Sequence, residues 1–471
     1  MNQRTPIVIL GAGPAGLGAA LQLARRGAFD VTAVERHTQV GGNAGSFDAG
    51  GLQVDYGSHR LHPACSPAIL SDIREMLGAD LLDRPRHGRM RIRGRWVHFP
   101  LKPLDLAAHL PLSFSLGVLR DAAAKLGRKG SGESFEQVLQ HGLGRTICHD
   151  FYFPYAQKIW GVDPSELDAE QARRRVSAGS LAKMIRKVLG AVPGMKPPGS
   201  GRFFYPKRGF GQISEAYHCA ALRAGAKVML GVPVTGIETR DGRAVAAAVS
   251  AGDEERLLPA RQILSTIPIS LLVQCIRPAA PQAVLEAAAS LRFRSMILIY
   301  LVLETERFTE YDAHYFPAPG VAITRLSEPK NYGLAEAPGT TVLCAELPCS
   351  RTDTVWTASD EQLGRLMKDA LAAAGLPVKA RIRQILTRRL PQAYPIYTRD
   401  YREHFDRITG WIDTIDGLVT FGRQGLFAHD NTHHTLAMAY GLNDCLDEAG
   451  GLDRQKWAGY RREFERHVVE D

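Results

Sequence analysis

An α/β fold with a parallel sheet is what the sequence predicts, on three observations. The chain has 471 residues of ordinary globular composition, 45% hydrophobic and 23% charged, long enough for a sizeable core. A short apolar run at 6–10 ends at Gly11-Ala12-Gly13-Pro14-Ala15-Gly16 and passes into small and aliphatic residues at helical spacing. That order reads as strand, tight turn, helix. A second strand at 30–34 closes a βαβ start within the first 35 residues.

Further along, 52–55 reads as a short extended piece before Gly57. Between about 70 and 200 the spacing turns mostly helical, at 69–77, 135–139 and 168–188, with a hairpin in RMRIRGRWVHF whose turn is Arg93-Gly94. The Pro- and Gly-rich stretch 192–202 reads as a linker. Extended stretches follow at 227–239 and 243–250, then a β-branched run at 261–267 that stops at Pro268. Strands are expected at 296–303, 341–347, 381–390 and 418–421, and helices at 281–289, 359–374 and 434–447. No internal repeat is present, which removes solenoid architectures.

Seven scattered cysteines, odd in number and without a C-x-x-C pair, indicate neither a zinc site nor a disulfide framework. They read as small buried hydrophobes in a reducing cytoplasm. No apolar run reaches the ~18 residues of a membrane span, and the apolar stretch 7–24 is broken by Gly11, Gly13, Pro14 and Gly16. The expected location is therefore cytoplasmic. Residues 104–119, apolar but broken by Pro111, read as core or channel packing, with a membrane-interfacial segment as the other reading. The surplus of base, net charge +9, is modest for this length and suits an anionic substrate or a membrane surface as well as no charged partner at all. Two arginine clusters, Arg89, Arg91, Arg93 and Arg95, then Arg173, Arg174 and Arg175, read as solvated faces. No aromatic interleaving suggests nucleic-acid binding. Phosphate-loop, H-E-x-x-H and G-x-S-x-G patterns are absent from the sequence, so metal and covalent catalysis by the protein are not indicated.

The turn Gly11, Gly13, Pro14, Ala15, Gly16 carries the most chemistry. Glycines there permit the tight turn, close approach of backbone to a pyrophosphate, and packing of helix on strand. The helix N-terminus then offers free N–H groups and its positive dipole end to phosphates. Glu35 ends the second strand, where an acid binds the adenosine ribose hydroxyls and disfavours a 2′-phosphate. These residues alone leave NAD and FAD both open.

The next segment, Glu35-Arg36-His37-Thr38-Gln39-Val40-Gly41-Gly42-Asn43-Ala44, places a second glycine pair after the acid. That arrangement resembles the flavoprotein signature of the FAD-dependent amine-oxidase superfamily. GGNAGSFDAGGLQVDYGSHRLHP resembles, more narrowly, UDP-galactopyranose mutases and protoporphyrinogen-oxidase-like proteins, although most amine oxidases carry Arg where Asn43 stands. Weaker likeness continues through Lys158–Gly161, Pro206–Phe210, Thr324-Arg325, Tyr394-Pro395 and Phe421-Gly422-Arg423.

The resemblance implies non-covalent FAD in a discontinuous, GxGxxG Rossmann-type α/β domain (1–75, 203–285 and 412–471) with an inserted α+β substrate domain (76–202 and 286–411). It implies that Gly41, Gly42, Asn43, Ala44 and Arg36 lie beside the phosphates and Val234 beside the adenine. Gly57, Ser58 and His59 would flank the flavin, with Gly422 and Arg423 against its ribityl and pyrophosphate. A helix starting near His433 and His434 would aim its N-terminus at the pyrimidine end of the ring. His59, His62, Arg325 and Tyr394 are the candidate catalytic or substrate-binding groups. Arg325 and Tyr394 match two positions of the mutase diphosphate clamp, whereas Ala178, Asp430 and Asn431 stand where another arginine and tyrosines are expected. The expected function is FAD-dependent hydride transfer from a polar, carbohydrate-like or nucleotide-linked small molecule. The alternatives are a mutase-like isomerase working without net redox change, and a flavin-free scaffold of the same fold.

Overall fold

The computed structural model describes residues 4–99, 105, 108–124, 132–175, 201–252, 254–333 and 337–469. Thr5–Leu10 lies at the centre of a five-stranded parallel sheet, between Phe29–Glu35 and Gln262–Ser265. Lys227–Leu230 and Leu418–Thr420 complete its two edges. Alternate residues of the central strand enter different cores: Ile7 and Ile9 join one cluster, Val8 and Leu10 the other. Burial on both faces is why these strands read as continuous apolar runs. The helix Pro14–Arg25 buries Leu17, Ala20 and Leu21 and packs against Thr432–Asp444. Gly18 permits that approach, since a Cβ there would stand 2.9 Å from Leu436 Cδ2.

In a second, seven-stranded mixed sheet, Phe293–Leu303 lies between the edge strand Ile382–Pro395 and Thr341–Cys349. Its odd-numbered residues Ile297, Ile299, Leu301 and Leu303 pack under the helix Asp360–Ala373, which Ser359 and Gln362 cap reciprocally. Met296, Leu298, Tyr300 and Val302 face the hairpin Ser46–Ala49 and Leu52–Asp55. The glycine-rich N-terminal segment is thereby pressed onto the second sheet, and Tyr300 donates to the Asp55 carbonyl at 2.6 Å. A four-stranded sheet, Val234–Arg240, Arg243–Ala251, Glu254–Pro259 and Ile276–Arg277, flanks the parallel one.

Most expected elements form, and the differences have local causes. The hairpin Gly88–Ile92 and Arg95–Phe99 turns at Arg93 (φ 49°) and Gly94 (φ 76°), the two positive φ values of a two-residue turn that matches strand twist. The single stretch expected at 227–239 is instead two strands in different sheets, broken where Gly231 adopts φ 70° ahead of Pro233. Leu81–Pro85, which pairs with Arg202–Pro206, and the helices Gln212–Arg223, Tyr401–Ile412 and Arg454–Phe464 are additions. The helix expected at 168–188 is described as Ala169–Arg175, and Ala178 and nearly all of 192–202 lie outside the described residues.

Three expectations about surface and core are corrected. Cys219 is exposed, so burial does not hold for every cysteine. The arginine clusters are not simply solvated: Arg174 is buried against Glu170 at 2.9 Å, and Arg89 is sandwiched over the Trp96 and Tyr311 rings at 4.1 and 4.4 Å. In 104–119, part of which lies outside the described residues, Phe114 and Val118 pack inward but Leu112, Leu116 and Leu119 face solvent.

Candidate functional site

A cleft of about 1150 Å³ runs along the carboxyl ends of the parallel strands and onto the second sheet. Its near end is the glycine turn. Gly11 holds φ 102°, and a Cβ on Gly16 would stand 1.9 Å from the Gly11 carbonyl oxygen, so the third glycine seats helix on strand. Gly13 has ordinary extended backbone, and the nearest atom to a Cβ there is Gly41 O at 4.0 Å. The space beside Gly13 is therefore room in the cleft, not packing. The helix Pro14–Arg25 has neither a side-chain cap nor an acid in its first turn. Its uncapped N–H groups and dipole make this end electrostatically favourable to an anion.

Glu35 lines the cleft at the tip of its strand. One carboxylate oxygen accepts from Ala12 N and the other from His37 N, each at 3.0 Å, which fixes the acid without a side-chain cation. The second glycine pair folds back over the turn, with Gly41 N donating to Ala12 O at 2.8 Å and Gly42 to Ala44 forming a short 3₁₀ turn. Val234 completes the far wall.

At the other end stand His59, Arg60, His62 and Arg325. Asp55 organises this region, accepting from Ser46 Oγ at 2.6 Å, Tyr205 OH at 2.7 Å and Phe210 N at 2.8 Å. His59 stacks on Phe210 and its Nε2 donates to Tyr56 O at 2.9 Å, leaving Nδ1 as an acceptor. Burial lowers its pKa, against the pull of Asp55, and favours the neutral ring. Arg325 clasps Glu346 Oε1 through Nη2 (2.6 Å) and Nε (3.0 Å), and the same oxygen accepts from Ser58 N at 3.1 Å.

The helix Thr432–Asp444 begins at the cleft, with Asn431 as its cap. Asp430, Asn431, Thr432 and Thr435 line the cleft; His433 and His434 do not. They are held instead in a histidine cluster, His433 stacked near His62 and His434 stacked on His467. Asp430, His434 and His467 bring three ligand atoms within 4.8 Å of one another. However, the Nδ1 lone pair of His434 already accepts from Asn431 N, and the charges of Arg174 and Arg423 reach the same carboxylate. The arginine charge at Asp430 and the engaged Nδ1 weigh against a metal cation there.

Burial lowers the pKa of His433 to about 4 and that of His434 to about 2. Both rings are neutral in the folded chain at pH 5, whereas unfolding returns them to about 6.5. Below that value the unfolded state binds more protons, so stability falls as the pH falls, by about 1.4 kcal/mol per pH unit for each ring. Urea unfolding between pH 7 and 5 is expected to show this loss, and His433→Asn/His434→Gln to flatten the profile.

Residues 14–434 match the sequence profile described as flavin containing amine oxidoreductase. The chain belongs to this family. A Klebsiella pneumoniae protein named "probable UDP-galactopyranose mutase" is 26% identical over 184 residues, covering 37% of this chain and 45% of that one. A 4,4'-diapolycopene oxygenase from Methylomonas sp. is 24% identical, covering 57% and 56%. The chain thus spans about half the length of these curated relatives in its matches. Among solved structures, reduced UDP-galactopyranose mutase superposes with a TM-score of 0.81 at 20% identity, covering 99% of this chain and 100% of the other. A protoporphyrinogen-oxidase-like structure from Exiguobacterium sp. 255-15 gives 0.72 at 19% identity, over 94% and 98%. These likenesses show the fold.

Membership in a flavin-containing family makes flavin the cofactor, and the cleft fits one: an uncapped helix end, open space at Gly13 and a fixed acid stand in sequence along one wall. Gly11, Gly13, Pro14, Ala15, Glu35, Arg36, Gly41, Gly42, Asn43, Ala44, Ser58, His59, His62, Val234, Arg325 and Arg423 line it. Gly16, Gly57 and Gly422 stand behind the wall, where Gly422 lets the chain close on Ala15. Tyr394 is one contact back, its ring beside the Arg423 guanidinium at 5.3 Å. The sequence reasoning missed Arg60, Arg86, Arg388 and Arg389 as lining residues. Arg60 sat within the quoted motif, and the Arg388-Arg389 pair interrupting an expected strand was itself a signal, whereas nothing in the spacing marked Arg86.

Proposed function

We propose that this protein is an FAD-dependent oxidoreductase that takes a hydride from a polar, anionic small molecule of carbohydrate-like or nucleotide-linked type. The observation that carries the reading is the charge of the cleft. Seven arginines line it (Arg36, Arg60, Arg86, Arg325, Arg388, Arg389 and Arg423) against two lining carboxylates, Glu35 and Asp430, and even with Arg60 paired to Asp312 at 3.3 Å and Arg325 to Glu346 at 2.6 Å behind the wall, positive charge is in excess. One dinucleotide pyrophosphate offsets part of this excess, and the remainder favours a further anion. In this reading Gly11–Gly16 and the helix end hold the pyrophosphate, Glu35 the ribose, Val234 the adenine, and residues 57–59 the ring, without a covalent link. FAD-binding segments 1–75, 203–285 and 412–471 and a substrate-binding part from 76–202 and 286–411 go with it.

Bound FAD supplies the hydride acceptor. The chain's own work is placement: Arg60 and Arg325 orient the anion, and neutral His59, with Nδ1 free of the Tyr56 carbonyl, can take a proton from a hydroxyl. Tyr394 acts behind Arg423, fixing its guanidinium plane.

Likeness to reduced UDP-galactopyranose mutase favours a second reading, isomerisation without net redox change. Against it, Asp430 and Asn431 line the cleft where the mutase pattern has tyrosines. Anaerobic mixing with a panel of sugar phosphates and nucleotide sugars separates the two. Bleaching of the oxidised protein by one of them is the expected result; turnover of a nucleotide sugar only after prior reduction would establish the mutase reading instead.

A further inference from the structure

We propose that the helix Leu112–Ala124 docks this protein on an anionic phospholipid surface. Leu112, Leu116 and Leu119 are 80%, 65% and 64% exposed, the three most exposed large hydrophobic side chains among the described residues. They recur at i, i+4 and i+7 and so form one stripe. The opposite side of the helix is also apolar, with Phe114, Val118 and Ala122 packed against the Phe135, Leu139 and Ile147 cluster. One apolar face is spent on the core, and the second has no such explanation. A helix that is apolar on two sides is not an ordinary surface helix.

The rim of the stripe selects the occupant. Arg93, at the tip of the Gly88–Ile92 and Arg95–Phe99 hairpin, donates to Ser113 Oγ at 3.2 Å, which sets the exposed tip Arg93-Gly94-Arg95 beside the first turn. Arg120 is exposed on the helix itself, and Arg145 adjoins Thr146, which Gly117 touches. The nearby acids are engaged: Asp121 accepts from Thr146 N, Asp105 from His98 N, and Asp150 pairs with Arg93. A leucine stripe with a basic rim matches the acyl boundary beneath anionic headgroups, and no helix of the described residues is long and apolar enough to cross a membrane. The protein would lie on the bilayer through this helix.

Co-sedimentation of the flavin-loaded protein with vesicles tests this. Vesicles of phosphatidylcholine with phosphatidylglycerol are expected to pull the protein down, those of phosphatidylcholine alone at least about tenfold less, with binding weakened by added salt. Leu112→Gln/Leu116→Gln/Leu119→Gln is expected to lose about tenfold or more of this binding while keeping the melting temperature and flavin spectrum, because all three side chains already face water. No binding to either vesicle, equal binding to both, or undiminished binding by the triple variant would overturn the proposal. So would a triple variant whose only change is from dimer to monomer by light scattering, which would assign the stripe to self-association.

Discussion

Gly13→Val is expected to give a folded, colourless protein. Gly13 has φ −77° and ψ −179°, which valine adopts without strain, and no atom lies nearer than 4.0 Å to the new Cβ. The added side chain enters the cleft above the uncapped end of Pro14–Arg25, where the phosphates are to be received. The flavin-free variant should therefore melt within about 1 kcal/mol of the flavin-free parent, while flavin affinity falls by about a hundredfold or more, roughly 2.7 kcal/mol. Gly16→Val is the contrast. Its Cβ would stand 1.9 Å from Gly11 O, and the expected outcome is an insoluble or unfolded chain rather than a colourless one. Calorimetry of both variants, with fluorescence titration of added FAD, checks the pair. A Gly13→Val protein as yellow as the parent would show that the turn does not hold the cofactor.

Arg325→Ala is expected to lose about 3–5 kcal/mol of stability as well as activity. Arg325 and Glu346 are largely shielded from solvent, and truncating the arginine leaves the carboxylate with Ser58 N as its remaining partner in this clasp. Arg325→Met/Glu346→Leu removes both charges and should recover most of the stability, since a buried pair contributes little beyond neutralising itself. The double variant separates two roles. If Arg325 also binds the substrate anion, kcat/KM stays depressed through a raised KM after stability returns, the result expected here. If activity returns with stability, Arg325 is only the counter-ion of Glu346.

The glycine-turn end of the cleft was legible because its requirements are backbone requirements. Gly11, Gly13, Gly16, Gly41 and Gly42 are where the chain needs tight turns, close approaches or open space, and such needs write themselves as residue types at fixed spacing. The Arg93-Gly94 hairpin turn was legible for the same reason. The arginine-lined end was less so, because its walls come from distant strands: Arg325 and Arg388 reach it through sheet pairing that spacing along the chain does not encode. His433 and His434 carry the lesson in reverse. Their position at a helix start at the cleft was foreseen, but the rings are taken up by the cap, His62 and His467, and the cleft is lined by their neighbours Asn431, Thr432 and Thr435. The exposed stripe of Leu112–Ala124 fell between two readings, packing and a membrane-interfacial segment, because apolar residues at helical spacing look the same in sequence whichever side meets water.

The most direct test of the central claim is the visible absorbance spectrum of the purified protein, followed by anaerobic dithionite reduction, readmission of oxygen, and mass analysis of what heat or acid releases. A two-band flavin spectrum that bleaches and recovers, with intact FAD set free from the chain, is the predicted result. A protein that stays colourless after incubation with FAD would contradict the account and leave a scaffold of the same fold.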